Sequence, residues 1–184
     1  YEFIWEEFCD WYIEMVKPRL YGEDDSKDAA LYTLQKVLIT ALKLLHPYMP
    51  FITEEIFDTI QDDEESIMIS TWPEYSEEFN FAKEEKDIQT IKEAVRAIRN
   101  VRTNMNVAPS RKAKVFVVSD DASIRKTFTD GELFFKTLSY ASEVAVQAGK
   151  DGIADDAVSV VIAGATCYIP FADLVDLKAE IEAK

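Results

Sequence analysis

The chain has 184 residues, with 35 Asp and Glu against 20 Lys and Arg, and its formal net charge is -15. This length allows one domain, or one domain and a small second one, and a hydrophobic share of 48% excludes wholesale disorder. The acidic balance argues against a protein that coats nucleic acid by bulk charge, so any nucleic-acid contact requires a local basic patch. The two cysteines form no Cys-x-x-Cys pair, and neither a disulfide framework nor a zinc knuckle is indicated.

Apolar residues at three- and four-residue steps predict three helices in the first part of the chain. We expect the first to end at Pro18, and the second to begin at Ser26 as its N-cap and to stop at His46-Pro47. The third follows Pro50. After an acidic loop, Ile67–Ile69 is expected to be a short extended piece.

A fourth helix is predicted from Phe81 to about Met105, where an apolar seam runs beside a row of basic residues. Four helices joined by short links are typical of an antiparallel bundle, which we assign to residues 1–106. The fold class expected is therefore mainly α.

After Pro109 the apolar pattern changes to β-branched alternation, which predicts a small α/β unit over residues 107–171. A hairpin is expected where two apolar runs flank Ala163-Gly164-Ala165. The expected elements are strands at 113–119, 143–148, 158–162 and 166–169, and helices ending at 128 and 138. Residues 172–184 have helical spacing, and we expect them to begin a longer helix or coiled coil.

The sequence has few groups suited to catalysis or metal binding. His46 is the only histidine, and we interpret it as a structural residue at a helix C-terminus. No glycine-rich phosphate loop and no G-x-S-x-G elbow is present. The acidic residues Glu54-Glu55 and 62–65 lack the glycine and the alternating ligands of a calcium loop, so we interpret them as solvated surface. We predict no catalytic residue and no metal site.

Between Ile88 and Lys114 the charge of the chain reverses locally, because seven Lys and Arg face Glu93 alone. Such a reversal on one helix and the loop after it is the footprint expected for phosphate contact. A solvated face that balances acidic neighbouring helices remains the alternative. The candidate nucleic-acid-binding residues are Lys92, Arg96, Arg99, Arg102, Arg111 and Lys112.

Five strings in chain order resemble the anticodon-binding region of the valyl-tRNA synthetase family. They are Phe8–Glu14 (FCDWYIE), His46–Ile56 (HPYMPFITEEI), Ser66–Pro73 (SIMISTWP), Ile98–Arg102 (IRNVR) leading to VAPS, and Ile169–Asp176 (IPFADLVD). The chain departs from the family at Phe57, where members usually have Trp. The last string resembles the entry to the C-terminal coiled-coil arm of these enzymes.

The resemblance implies that the chain is a non-catalytic, tRNA-binding fragment of a class I ATP-dependent ligase that attaches valine to tRNA(Val). It implies as partners tRNA(Val) and the catalytic and editing domains of the same polypeptide, with no membrane. It implies no cofactor in this chain, ATP with magnesium in the parent enzyme, and a cytoplasmic location. The alternatives are the anticodon-binding domain of an isoleucyl- or leucyl-tRNA synthetase, or a helical protein–protein interaction module that docks through its acidic surface.

Overall fold

The computed structural model describes residues 2–22, 26–61 and 63–174. Within them, the chain is mainly helical with one small mixed sheet, as the sequence predicts. Two compact units divide the chain, Tyr1–Asn80 and Phe81–Lys184. The coiled coil expected over residues 172–184 lies, apart from its first three residues, outside the described residues.

The first unit is built from helices that pack in sequence order, the first α-helix on the second and the second on the third. Leu42, Phe57 and Ile67 form one cluster of its buried residues, with side chains from the second and third helices packed against it. The elements are a π-helical segment Phe3–Ile13, α1 (Glu14–Tyr21), α2 (Ser26–Leu45), α3 (Pro50–Ile60), and single 3₁₀ turns at Ile67–Ile69 and Glu77–Phe79.

The helix end predicted at Pro18 is wrong, because the helix passes through this residue to Tyr21. A proline ring inside a helix conflicts with the carbonyl of the residue four positions earlier, which here is Glu14. The backbone changes from π-helical to α-helical at Glu14, and such local π adjustments accommodate a strained position in a helix. The helix ends instead before Gly22, whose backbone is extended.

The extended piece predicted at Ile67–Ile69 is also wrong, because these residues form a 3₁₀ turn. Ser66 begins the turn by accepting a hydrogen bond from the Met68 amide, and the Ile69 amide donates to the Ser66 carbonyl. A lone extended segment would leave its backbone groups without a strand partner, whereas the turn satisfies them locally. Ile67 enters the core while Met68 and Ile69 are exposed.

The second unit combines one long helix with a four-stranded sheet, in which the strands, numbered along the chain, lie in the order 2-1-4-3. The first two strands are parallel, and the fourth is antiparallel to both the first and the third. The predicted hairpin is confirmed, and its turn places Gly164 at φ 79°, a conformation that favours glycine. The elements are α4 (Ala82–Asn104), β1 (Ala113–Val118), α5 (Ala122–Asp130), α6 (Glu132–Leu138), β2 (Ala141–Gln147), β3 (Val158–Ile162), β4 (Ala165–Ile169) and α7 (Phe171–Leu174).

Helix α4 contacts β3, α5 and α6 of the second unit. Its buried stripe includes Ile91, Val95 and Ile98, all at most 2% exposed. The sequence pattern predicts this helix as part of the bundle over residues 1–106, whereas these contacts group it with the sheet, because its apolar stripe lies against the elements that follow it. The division into 1–106, 107–171 and 172–184 stays a prediction.

Cys167 lies on β4 in the core of the second unit, and burial raises the pKa of its thiol to about 12. An unfolded thiol ionises near pH 8.5. The unfolded state therefore loses this proton at a lower pH than the folded state, so we expect the free energy of unfolding to fall by as much as about 1.4 kcal/mol per pH unit above pH 9. Urea titrations at pH 8 to 10.5 should show this fall in the wild type and in Cys9→Ala, but a shallower one in Cys167→Ala. Parallel curves for all three proteins would contradict it.

Candidate nucleic-acid interface

The basic residues of α4 do not share one exposed face. Lys92 and Arg102 are 1% and 4% exposed, so they belong to the buried stripe of the helix. Arg99 is half-buried, and Arg96 is exposed. Residues three and four apart lie on the same side of a helix, and this spacing places Arg102 and Arg99 in line with the apolar residues Val95 and Ile98.

Arg102 organises the chain that follows α4. Its Nη2 atom donates hydrogen bonds to the carbonyl oxygens of Ala108 and Arg111, and the Val107 amide donates to the Arg102 carbonyl. Asn106 has a positive φ of 52° where the chain reverses direction. Burial lowers the pKa of the Arg102 guanidinium, but arginine remains a cation in proteins. A buried charge is tolerated only with polar partners, and here backbone carbonyls supply them.

Tyr140 is a further member of this cluster. The guanidinium carbons of Arg99 and Arg102 each lie 5.6 Å from the centre of its ring, which is cation–π distance. Arg99 also donates from Nε to the Leu138 carbonyl oxygen at 2.8 Å, which ties α4 to the end of α6. Tyr140 has a positive φ of 57°. Sequence reasoning missed this residue, because it lies about forty positions from the arginines and no local pattern marks it.

Arg111 holds the start of α7. Its Nε donates to the Asp173 carbonyl oxygen at 2.6 Å and its Nη2 to that of Ala172 at 3.1 Å. The Asp173 carboxylate in turn accepts a hydrogen bond from the Lys114 amide at 3.0 Å. The Lys114 ammonium pairs with Glu143 across the parallel strands. These groups join β1 to the start of the last described helix.

The six candidates therefore fall into three groups. Arg99, Arg102 and Arg111 come together at the C-terminal end of α4, Lys92 lies in the core, and two residues, Arg96 and Lys112, are exposed. A phosphate-binding side chain needs its charged head at the surface. By this criterion the exposed pair is best placed. All six stay predictions as tRNA contacts.

A second polar cluster lies in the first unit, around a cavity of about 120 Å³. Sequence reasoning did not single it out as a site, although the cavity is lined by residues from two of the strings that carry the family resemblance. His46, interpreted above as structural, has Nδ1 at 2.8 Å from the Thr53 hydroxyl at the start of α3. The lining residues are Lys43, His46, Pro47, Ile67, Met68, Ser70, Thr71 and Trp72.

Two further features are absent from the described part of the chain. No group of three or more His, Cys, Asp and Glu side chains within it is arranged to hold a metal ion. None of the helices in those same ranges combines the length and the apolar character that crossing a membrane requires.

Comparison with known proteins gives one family and a consistent set of relatives. The family described as the anticodon-binding domain of tRNA ligase matches residues 1–117. A valine–tRNA ligase of Clostridium tetani is 50% identical over 183 residues, which are 99% of this chain and 21% of the relative. Valine–tRNA ligases of Clostridium perfringens and Carboxydothermus hydrogenoformans are 48% and 38% identical, over 99% of this chain and 21% and 20% of their own lengths. The chain thus spans about a fifth of the length of these relatives.

The hydrogen bonds of Arg102 predict that buried and exposed basic residues differ in how much they contribute to the free energy of unfolding. Arg102→Met keeps the packing of the side chain but leaves two carbonyl oxygens without their donor, so we expect the free energy of unfolding to fall by about 1–3 kcal/mol. Lys112→Met makes the same chemical change at an exposed position and should stay within about 0.5 kcal/mol of wild type. Urea unfolding followed by circular dichroism measures both. Equal stability of the two variants would show that Arg102 does not support the fold.

Proposed function

Because this chain belongs to the family of anticodon-binding domains of tRNA ligases, we propose that it serves as the tRNA-binding part of a valine–tRNA ligase and contacts tRNA(Val). The similarity to valine–tRNA ligases covers 99% of the chain, beyond the family match to residues 1–117, and this coverage carries the proposal. The same coverage confirms the family resemblance drawn from the sequence and favours valine over the isoleucine and leucine enzymes.

The complete enzyme is much longer than this chain, which spans about a fifth of the length of its relatives. We infer that ATP with magnesium, the aminoacylation chemistry and the editing reaction belong to domains outside this chain. We also infer that residues 172–184 begin a coiled-coil arm, and that the enzyme works in the cytoplasm. The hydrogen bonds from Arg111 to the carbonyls of residues 172 and 173 would then set the direction in which the arm leaves the second unit.

For the tRNA contact itself we propose the exposed basic residues Arg96 and Lys112. Arg96 is an exposed residue of α4, and Lys112 is exposed between the end of the helix and β1. In a chain of net charge -15 these cations stand out, because binding to phosphates gains free energy mainly from the release of counterions around the nucleic acid. The charge on Arg102 supports this surface indirectly, since it holds the segment that presents Lys112.

The salt dependence of tRNA binding tests this contact. We expect Arg96→Ala and Lys112→Ala each to lower the slope of log affinity against log salt by about 1, and to weaken binding about equally for different tRNA species. Lys126→Ala is the matched control, because it removes the charge of an exposed lysine on α5, outside the basic stretch between Ile88 and Lys114. Filter binding of labelled tRNA(Val) at several KCl concentrations gives the slopes. Unchanged slopes for both variants would remove these residues from the interface, and no tRNA binding at all would favour the protein–protein interaction module.

The absence of catalysis is tested separately. We expect the chain to support no valine-dependent exchange of pyrophosphate into ATP, because it holds no glycine-rich phosphate loop and one histidine. The assay uses the purified chain, with a complete valine–tRNA ligase as the positive control. Exchange that persists after contaminating enzyme has been removed would overturn the non-catalytic assignment.

A further inference from the structure

The two faces of the sheet in the second unit are covered to different extents. Helices α4, α5 and α6 contact one another, and each also contacts a strand. They cover the face to which Val115, Val117 and Cys167 point, and these side chains are at most 1% exposed. Successive residues of a strand point to opposite faces, so the residues between them form a second, open face. The residues of the open face are Lys114, Phe116, Val118, Glu143, Ala145, Gln147, Ser159, Val161, Thr166 and Tyr168.

Two aromatic side chains are neighbours at the centre of the open face. Phe116 on β1 pairs directly with Tyr168 on β4 across the antiparallel ladder, and the Cβ atoms of such a pair lie about 5 Å apart. Phe116 is half-buried, whereas Tyr168 is 9% exposed. On the outer strand β3, Val161 is 78% exposed. The open face is therefore an apolar surface with one accessible ring at its centre.

A lysine lies over each of the two rings. The ammonium of Lys114 is 4.9 Å from the centre of the Phe116 ring, and that of Lys150 is 5.2 Å from the centre of the Tyr168 ring. Lys114 also pairs with Glu143 on β2 at 3.0 Å, and Lys150 is an exposed residue of the loop between β2 and β3. Because an exposed cation–π contact is weak and a lysine side chain has many rotamers, both lysines can move from the rings toward a ligand.

Aromatic rings beside lysines favour single-stranded RNA over a protein as the occupant of this face. One common class of RNA-binding module stacks two or three bases on aromatic side chains of a four-stranded sheet. A base stacked on an aromatic ring gains more free energy than an exposed cation–π contact provides. A base can therefore replace Lys114 on the Phe116 ring, and the displaced ammonium can meet a phosphate. An apolar protein surface would instead bury both lysine charges, which is unfavourable.

Acidic residues near the open face limit the contribution of charge to binding. Among the strand residues of this face, all of which the structure describes, Glu143 is the only carboxylate. The loop that carries Lys150 adds three exposed ones, Asp151, Asp155 and Asp156. These charges repel phosphates, so binding at this face depends mainly on stacking at Phe116.

We propose that the open face of the sheet binds an unpaired nucleotide of RNA, with the base stacked on Phe116 and the flanking phosphates at Lys114 and Lys150. The proposal rests on the proposed function above and adds to it an RNA contact on the sheet of the second unit. Stacking alone does not distinguish one base from another, so we expect the site to accept all four bases. Lys112, proposed above as a phosphate contact, lies two positions before Lys114, so the two contacts can follow one RNA strand.

Short RNAs test the site directly. Binding of a labelled oligouridylate of about ten nucleotides, within the usual site size for single strands, is measured by fluorescence anisotropy at low salt. A duplex RNA of the same length should bind more weakly, because its bases are already paired and stacked. Phe116→Leu removes the ring but keeps a large apolar side chain, and we expect it to weaken binding of the single strand by about 10-fold.

Three further variants separate the loss of stacking from a loss of fold. Phe116→Tyr keeps a ring and should bind the single strand within about twofold of wild type. Phe134→Leu makes the same change at another half-buried phenylalanine, on α6 in the helical layer, and should leave binding unchanged. Lys150→Ala should lower the slope of log affinity against log salt by about 1. Thermal melting followed by circular dichroism checks that each variant is folded at the assay temperature.

The outcomes distinguish this site from the proposed function. If Phe116→Leu and Phe134→Leu bind the single strand equally well, or if the chain binds tRNA(Val) but no oligouridylate, the open face is not an RNA site and the proposed function stands. If the wild-type chain binds neither RNA at low salt, the proposed function fails and this inference fails with it.

Discussion

The buried guanidinium of Arg102 is the interaction on which much of the second unit depends. It lies at the end of α4 and binds the carbonyl oxygens of the chain that returns from the helix to the sheet. Through the carbonyl of Arg111, this contact also fixes the residue that holds the start of α7. A helix end leaves carbonyl groups without intrahelical partners, and the segment after it must satisfy its own backbone. One planar cation with several donors meets both needs at the same place.

This use of arginine explains how an acidic protein keeps a basic stretch without forming one continuous basic surface. Arg99, Arg102 and Tyr140 form a cluster in which two guanidinium groups share one aromatic ring. Their charges are compensated by carbonyl dipoles and by the ring, so part of the local positive charge is structural. The basic side chains of Arg96 and Lys112 remain exposed. The hydrogen bonds of the buried Arg102 hold the segment that carries Lys112. Under the proposed function, fold stability and tRNA contact draw on different residues of the same stretch of sequence.

The first unit has a comparable division between core and surface. Phe57 fills the core beside Leu42 and Ile67, in the position where the family usually has Trp, and Lys43 lies 5.8 Å from the centre of its ring. The same turn that buries Ile67 leads directly to Ser70 and Trp72 at the cavity. Packing of an isoleucine in the core thus positions the polar and aromatic groups that line the cavity.

The features that arise from local periodicity could be predicted from the order of residues alone. The apolar seam predicted α4 within one residue of each end, β-branched alternation predicted the strands, and the ordered strings identified the family. The sequence could not show which arginines are buried, because three- and four-residue spacing places both apolar and basic residues along the same stripe of α4. That choice depends on acceptors at Ala108 and Arg111 and on the ring of Tyr140, which only the folded chain brings near. The cavity lined by His46, Ser70 and Trp72 likewise required tertiary structure, because residues distant in sequence line one cavity only when the backbone between them is folded.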